Sequence, residues 1–220
     1  MSHTRIKFCG MTRAEDVRLA VELGVDFIGL ILAERSPRRL LPGQARALRA
    51  LVPEEIGVVA LVMDNPRGEV ADIVAGLNPD YLQFHGGEDD GFCAGFGLPF
   101  FKAIAMGDGG DPLEAMAKFP SAHGFVLDGH GAGEAGGSGR GFDWMRLPKD
   151  SGKRGALEQH VLLAGGLSPG NAAQAVRIAH PWGVDVSSGI EAAPGIKDAA
   201  KMRRFADAVR AADSGVVAAT

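Results

Sequence analysis

Lys7-Phe8-Cys9-Gly10-Met11-Thr12 brings an apolar run to a halt in a turn and leaves a cysteine at the boundary. Successive side chains of a strand point to opposite faces, so Arg5, Lys7 and Cys9 share one face and Ile6 and Phe8 the other. Cys9 is then the last inward residue of its strand. Gly10 permits a close approach of backbone or ligand. Thr12, with Glu15 three residues on, has the spacing of a capping box for a helix over Ala14 to Leu23. Taken by itself, a cysteine at this position fits burial as well as it fits chemistry. Its meaning depends on what the rest of the chain brings to it.

The strand, turn and helix of this stretch form a unit that recurs to the end of the chain. Apolar runs read as strands at Ile6 to Cys9, Phe27 to Leu32, Val58 to Met63, Tyr81 to His85, Phe100 to Ala105, Phe125 to Asp128, Val161 to Ala164 and Val184 to Ser187. Helical patterns lie between or after them at Ala14 to Leu23, Pro42 to Leu51, Pro66 to Gly76, Glu88 to Gly97, Pro112 to Lys118, Pro169 to Ile178 and Lys197 to Ala211, with a brief one at Phe142 to Leu147. Several open on proline, which suits the first helical position. Eight strands alternating with helices over 220 residues imply parallel pairing through right-handed crossovers and closure into a single (β/α)₈ TIM barrel of the α/β class. An open doubly wound sheet is the competing architecture, but the first strand-to-helix turn lacks the G-x-G-x-x-G of a dinucleotide site.

Composition agrees with one domain over residues 1–220, with 212–220 as a frayed tail: 46% of residues are hydrophobic and 23% charged. A net charge of −4, without a basic patch, gives no nucleic-acid surface. No apolar run approaches the roughly 18 residues of a membrane helix, and the first residues lack a signal-peptide pattern, so the expected location is the cytoplasm, away from membranes. Cys9 and Cys93 are too few for a disulfide framework and lack C-x-x-C spacing, which makes both reduced thiols.

Closure of the barrel turns distant positions into neighbours, because the C-terminal ends of all strands share one rim. Cys9, His85, Asp128, Gly165-Gly166 and Ser187-Ser188-Gly189 all fall there. The Gly165-Gly166 and Ser187-Ser188-Gly189 turns follow strands seven and eight, where phosphate sites of this architecture lie, and their N–H groups and hydroxyls can surround phosphate oxygens. Cys9 and Asp128 stand on opposite sides of the mouth and can act as base and acid on a substrate between them, or Asp128 can serve as a cap or turn residue. That requires a thiol lowered from its usual pKa of about 8.5, for which Lys7 is the cationic neighbour at hand. Asp185, in register with Ser187, points inward, where it can pair with Lys7 or reach the substrate. Arg38 can hold a carboxylate in a bidentate contact, or lie solvated on the surface. His85 can touch a ligand, and Cys93 reads as core. The segment Gly129 to Gly141, with seven glycines in thirteen residues, reads as a lid over this rim.

These residues resemble the phosphoribosylanthranilate isomerase family of tryptophan biosynthesis. The resemblance rests on Lys7-Phe8-Cys9-Gly10-Met11-Thr12, Gln83-Phe84-His85-Gly86, Leu127-Asp128 followed by Gly136-Gly137-Ser138-Gly139 and Phe142-Asp143-Trp144, Leu163-Ala164-Gly165-Gly166-Leu167, and Val184 to Glu191 with Pro194 to Asp198. It implies a TIM barrel that catalyses an Amadori rearrangement of N-(5-phosphoribosyl)anthranilate to 1-(2-carboxyphenylamino)-1-deoxyribulose 5-phosphate, with no metal and no cofactor. It further implies that Cys9 is the general base, Asp128 the general acid, and Arg38 the partner of the anthranilate carboxylate. The phosphate would be held by Gly137 and Gly139 of the lid with Gly165, Gly166, Ser187, Ser188 and Gly189. His85 and Asp185 complete the substrate-binding set. Gly129 stands where the family usually has Thr or Ser. The expected partner is this small phosphosugar-anthranilate, and monomer and homodimer both remain open.

Three other readings compete. The same barrel can serve another sugar phosphate as isomerase or epimerase, although the related histidine-pathway enzyme is expected to use an aspartate where Cys9 stands. It can bind a phosphosugar without catalysis. Or Cys9, Cys93 and His85 can hold zinc.

Overall fold

The computed structural model of the chain describes residues 3–107, 110–129, 144 and 160–215. Eight parallel strands close into a barrel in sequential order: β1 (Arg5–Cys9), β2 (Phe27–Ile31), β3 (Gly57–Val62), β4 (Tyr81–Phe84), β5 (Phe100–Ala105), β6 (Gly124–Asp128), β7 (Val161–Leu163) and β8 (Gly183–Val186). Pairing of β1 with β8, Lys7 opposite Asp185, seals the ring. Each strand lies within one residue of the span expected from its apolar run, and the α/β barrel reading holds.

Around the barrel lie α1 (Ala14–Glu22), α2 (Pro42–Arg49), α3 (Arg67–Leu77), α4 (Asp90–Ala94), α5 (Pro112–Met116), α6 (Ala172–Ala179) and α7 (Ala199–Asp213). Their apolar stripes pack on the outward residues of the strands, including Phe8, Phe84 and Phe100, which are buried. Inside, Phe27, Val59, Phe101, Ala103, Val126, Leu162 and Ala164 fill the lower barrel, with Tyr81 and Trp182 packed against them. Phe27 and Phe101 meet edge to face at 6.0 Å. This interdigitated plug makes the barrel a packed core and confines any binding site to the mouth.

Several local expectations are corrected. Thr12 does not cap α1: its hydroxyl donates to the carbonyl oxygen of Gly195, and the N-cap residue is Arg13, without a side-chain cap. The helix expected from Pro169 starts three residues later, because Asn171 holds a turn there, accepting from Ser168 N at 2.7 Å and donating to Gly166 O at 2.9 Å. Residues from Glu191 form an unexpected hairpin of β9 (Glu191–Ala193) and β10 (Ile196–Lys197), which takes Lys197 out of the last helix. That helix, α7, runs to Asp213, into the stretch read as tail; residues 216–220 lie outside the described residues. So do the lid stretch 130–141 and all of the brief helix at 142–147 except Trp144. Among the described residues, no helix is long and apolar enough to cross a membrane.

Candidate active site

The barrel mouth holds a cavity of about 720 Å³, part of it open to solvent. Its lining brings together Cys9, Arg38, His85, Asp128, Gly165, Gly166, Asp185, Ser187, Ser188 and Gly189. These residues come from six strand ends and the loops that follow them. The sequence positions Gly137 and Gly139 lie outside the described residues.

Cys9 ends β1 and is buried. The sulfur fits there because its neighbour on β2 is Gly29: a Cβ at that position would stand 2.8 Å from Sγ. Gly10, at φ +71°, turns the chain away, and a Cβ on it would meet Arg38 Cδ at 2.6 Å and Ser187 Oγ at 3.0 Å. Both glycines therefore hold a place in which sulfur, guanidinium and hydroxyl can converge.

One expectation about this thiol is overturned. Burial pushes the Cys9 thiol up; Lys7 and Lys197 act against the rise, Asp185 adds to it, and the net direction is upward. Lys7 is the neighbour the sequence pointed to, but its charge is already matched: Nζ donates to Asp185 Oδ2 at 2.8 Å, inside the barrel. Burial alone would lower Lys7, and the attraction of Asp185 and Cys9 outweighs it, so the ammonium is held charged. Asp185 is itself raised, by burial against the pull of Lys7, with Asp128 adding to the rise. Asp128, at the end of β6 and buried, is thus within electrostatic reach of Asp185.

Arg38 is not on the surface. It is buried, and its Nε and Nη2 donate to Glu191 Oε1 and Oε2 at 2.7 and 2.8 Å. Lys197 Nζ donates to Glu191 Oε1 at 2.8 Å, and to Ser187 O and Oγ at 3.1 and 3.4 Å. Burial works to raise the Glu191 carboxyl, but these two cations hold it below the usual range.

The two turns expected to take phosphate sit side by side. Gly165 and Gly166 have φ of +73° and +66°. Ser188–Ile190 form one 3₁₀ turn directly after Ser187. The opposite wall is apolar: Cys9, Ile31, Ala33 and Leu61 pack together, with Met63 against them. Sequence reasoning missed this wall, although alternation along β2 and β3 places Ile31 and Leu61 inward near the strand ends. It also left Gln83 without a role. Gln83 is fully buried on β4, borders the cavity, and among the described residues neither its Oε1 nor its Nε2 has a hydrogen-bond partner. The signal was present, a lone amide within an apolar strand.

The zinc alternative needs Cys93 near Cys9, but Cys93 packs in the layer between α4 and the barrel, on the outer side of the strands. Among the described residues, no group of three or more His, Cys, Asp or Glu is placed to hold a metal ion.

Comparison with known proteins gives the same picture. Residues 6–208 match the family model described as N-(5'phosphoribosyl)anthranilate (PRA) isomerase. The chain is 51% identical over 217 residues to the N-(5'-phosphoribosyl)anthranilate isomerase of Stenotrophomonas maltophilia (strain R551-3), covering 97% of this chain and 96% of that protein. Its fold matches the crystal structure of phosphoribosyl anthranilate isomerase from Thermus thermophilus with a TM-score of 0.81 at 31% identity, over 94% of this chain and 99% of that one. A phosphoribosyl anthranilate isomerase solved in complex with reduced 1-(o-carboxyphenylamino)-1-deoxyribulose 5-phosphate matches with a TM-score of 0.78 at 26% identity, over 94% and 98% of the two chains.

Proposed function

The chain belongs to the N-(5'-phosphoribosyl)anthranilate isomerase family of tryptophan biosynthesis, and from that premise we propose that Cys9 is the general base and Asp128 the general acid of its reaction. The reaction is an Amadori rearrangement, in which N-(5-phosphoribosyl)anthranilate, an aminoaldose, becomes 1-(2-carboxyphenylamino)-1-deoxyribulose 5-phosphate. The observation that carries the assignment is that Cys9 and Asp128 border one cavity with the Gly165-Gly166 and Ser187-Ser188-Gly189 turns.

Asp128 gives its proton to the furanose ring oxygen, the bond from that oxygen to C1 breaks, and the anthranilate nitrogen becomes an iminium. The Cys9 thiolate then takes the C2 proton, and the electron pair of that bond neutralises the iminium as an enaminol. Protonation at C1 and loss of the O2 proton complete the ketone; solvent returns the proton from Cys9 to Asp128. A thiol pushed upward is a stronger base once ionised, which suits a weakly acidic C–H, while a smaller fraction of it is ionised at neutral pH.

The phosphate occupies the two glycine and serine turns, with the Lys197 ammonium behind Ser187. The aromatic ring lies against Ile31, Leu61 and Met63. Arg38 spends its Nε–Nη2 edge on Glu191 and keeps the outer Nη1–Nη2 edge for the anthranilate carboxylate, a geometry the planar guanidinium allows. Sugar hydroxyls satisfy the Gln83 amide and Asp185 Oδ1, buried polar groups that have no hydrogen-bond partner among the described residues and otherwise carry a desolvation penalty. His85 borders the same space.

The deciding experiment follows the loss of substrate fluorescence on freshly generated N-(5-phosphoribosyl)anthranilate with wild type, Cys9→Ala and Asp128→Ala. Each variant is expected to lose about 10²- to 10⁴-fold in kcat while keeping its fold by circular dichroism. A Cys9→Ala enzyme with near-wild-type turnover would sink the assignment of the base.

A further inference from the structure

Glu191 does not line the cavity, yet it joins Arg38, which does, to Lys197, which reaches Ser187 of the cavity wall. Its carboxylate accepts from Arg38 Nε at 2.7 Å and Nη2 at 2.8 Å, from Lys197 Nζ at 2.8 Å and from Gly195 N at 3.2 Å. Arg38 lines the cavity beside the apolar wall. Lys197 reaches the Ser187 carbonyl at 3.1 Å, in one of the two turns assigned to phosphate. All three ionic side chains are buried.

The hairpin that carries Glu191 is tied down from outside the site. Thr12 Oγ1 donates to Gly195 O, Arg13 Nη2 to Lys197 O at 3.0 Å, Lys197 N to Asp16 Oδ2 at 3.2 Å, and Lys201 Nζ to Glu191 O at 2.7 Å. The carboxylate is therefore a fixed post, and the long, flexible Arg38 side chain is what it fixes. A side-on pair consumes the Nε–Nη2 edge and locks the guanidinium plane, so the outer edge keeps one direction. Without the carboxylate, Arg38 and Lys197 would be buried like charges that repel each other, and Arg38 would leave that orientation.

We infer that Glu191 is a positioning residue that holds Arg38 in the orientation in which it recognises the aromatic carboxylate of the substrate, and so sets the preference for a carboxylated over a plain anilino substituent. This rests on the assignment of Arg38 to that carboxylate made above. A guanidinium left to choose its rotamer loses much of the advantage of a preorganised fork, whereas contacts to the phosphate turns and apolar wall do not depend on its direction.

The test compares dissociation constants for two probes, reduced 1-(o-carboxyphenylamino)-1-deoxyribulose 5-phosphate and its counterpart lacking the carboxylate. Wild type, Arg38→Ala, Glu191→Gln and Glu191→Asp are titrated by calorimetry, with thermal melts alongside. Wild type is expected to prefer the carboxylated probe by about 10- to 100-fold, the range for a hydrogen-bonded charge pair. Arg38→Ala should abolish that preference. Glu191→Gln should reduce it to within about threefold even though Arg38 is intact. Glu191→Asp keeps the charge among its two cations but retracts it by one methylene; it should show the same loss, and it decides the matter if Glu191→Gln does not fold. A general loosening would weaken both probes alike and leave their ratio unchanged, so an unchanged ratio in a folded Glu191 variant overturns the inference while the Arg38 assignment stands. A wild type without preference, or an Arg38→Ala variant that keeps it, overturns the Arg38 assignment and the inference with it.

Discussion

Lys7 and Asp185 are paired neighbours across the β1–β8 seam, and their side chains meet at 2.8 Å inside the barrel, beneath the thiol of Cys9. Two ions removed from water are tolerable only together. Lys7→Met is expected to cost about 3–5 kcal/mol in denaturant unfolding, because it strands a buried carboxylate. Lys7→Met with Asp185→Leu should recover most of that loss, since both charges leave. In the single variant a cation that opposes the upward push on Cys9 is gone while Asp185, which adds to it, stays, so the pH dependence of the thiol moves higher.

That dependence is itself a prediction. Cys9 is raised by burial, and only a thiolate reacts with iodoacetamide, so the rate of its modification should keep climbing well above a pH of about 8.5, at which an ordinary thiol is already half ionised. The reduced product analogue should protect Cys9 from the reagent. Cys93 is fully buried and pushed up to about 12, chiefly by burial, so mass spectrometry of the native enzyme should find it unmodified. Modification of Cys93 at the rate of Cys9 would contradict the burial that separates them.

The barrel was legible because most strands carry their own boundary, an apolar run cut off by glycine or aspartate, and eight such runs allow few closed arrangements. The rim followed from the fold alone: once strand ends share a face, Cys9, Asp128 and the two glycine and serine turns must be neighbours. Two features were hidden for physical reasons. The direction of the Cys9 shift depends on how much water the closed mouth excludes and on whether Lys7 is already paired, neither of which is a property of the segment itself. The role of Glu191 depends on a hairpin of five ordered pairing residues that reads as loop. Its partner Arg38 is distant in sequence, and the pair exists only because Gly10 leaves room for the arginine stem to pass.

At the opposite end of the barrel, His123 stacks on His160 with ring centroids 4.3 Å apart and lies against Tyr81 and Phe101. Burial lowers the His123 pKa, and His160 lowers it further. The folded state therefore binds fewer protons than the unfolded one below a pH of about 6.5, the ordinary histidine value. Stability is expected to be fully present above that pH and to fall as acid titrates the unfolded chain first. His123→Phe, which keeps an aromatic ring among aromatic neighbours, should flatten the fall below a pH of about 6.5 in urea unfolding. An unchanged slope would assign the acid loss to other groups.

Gly29 offers a probe of the thiol that leaves every polar group in place. It pairs with Cys9 across β1 and β2, and a Cβ there would come within 2.8 Å of Sγ and 3.1 Å of the Cys9 Cα. The backbone contact cannot be relieved by a rotamer change, so both strands must part or the sulfur must move. Gly29→Ala is expected to lower stability by about 1–3 kcal/mol, the usual cost of overpacking. It should also reduce kcat by roughly 10- to 100-fold, because displacing a proton-transfer group by an ångström spoils its approach to the C2 hydrogen. KM should change little, since the phosphate turns and Arg38 are on other loops. A Gly29→Ala enzyme with wild-type kcat and an intact barrel would mean that the position of Cys9 does not limit the chemistry, and would weaken its assignment as base more directly than any change of charge nearby.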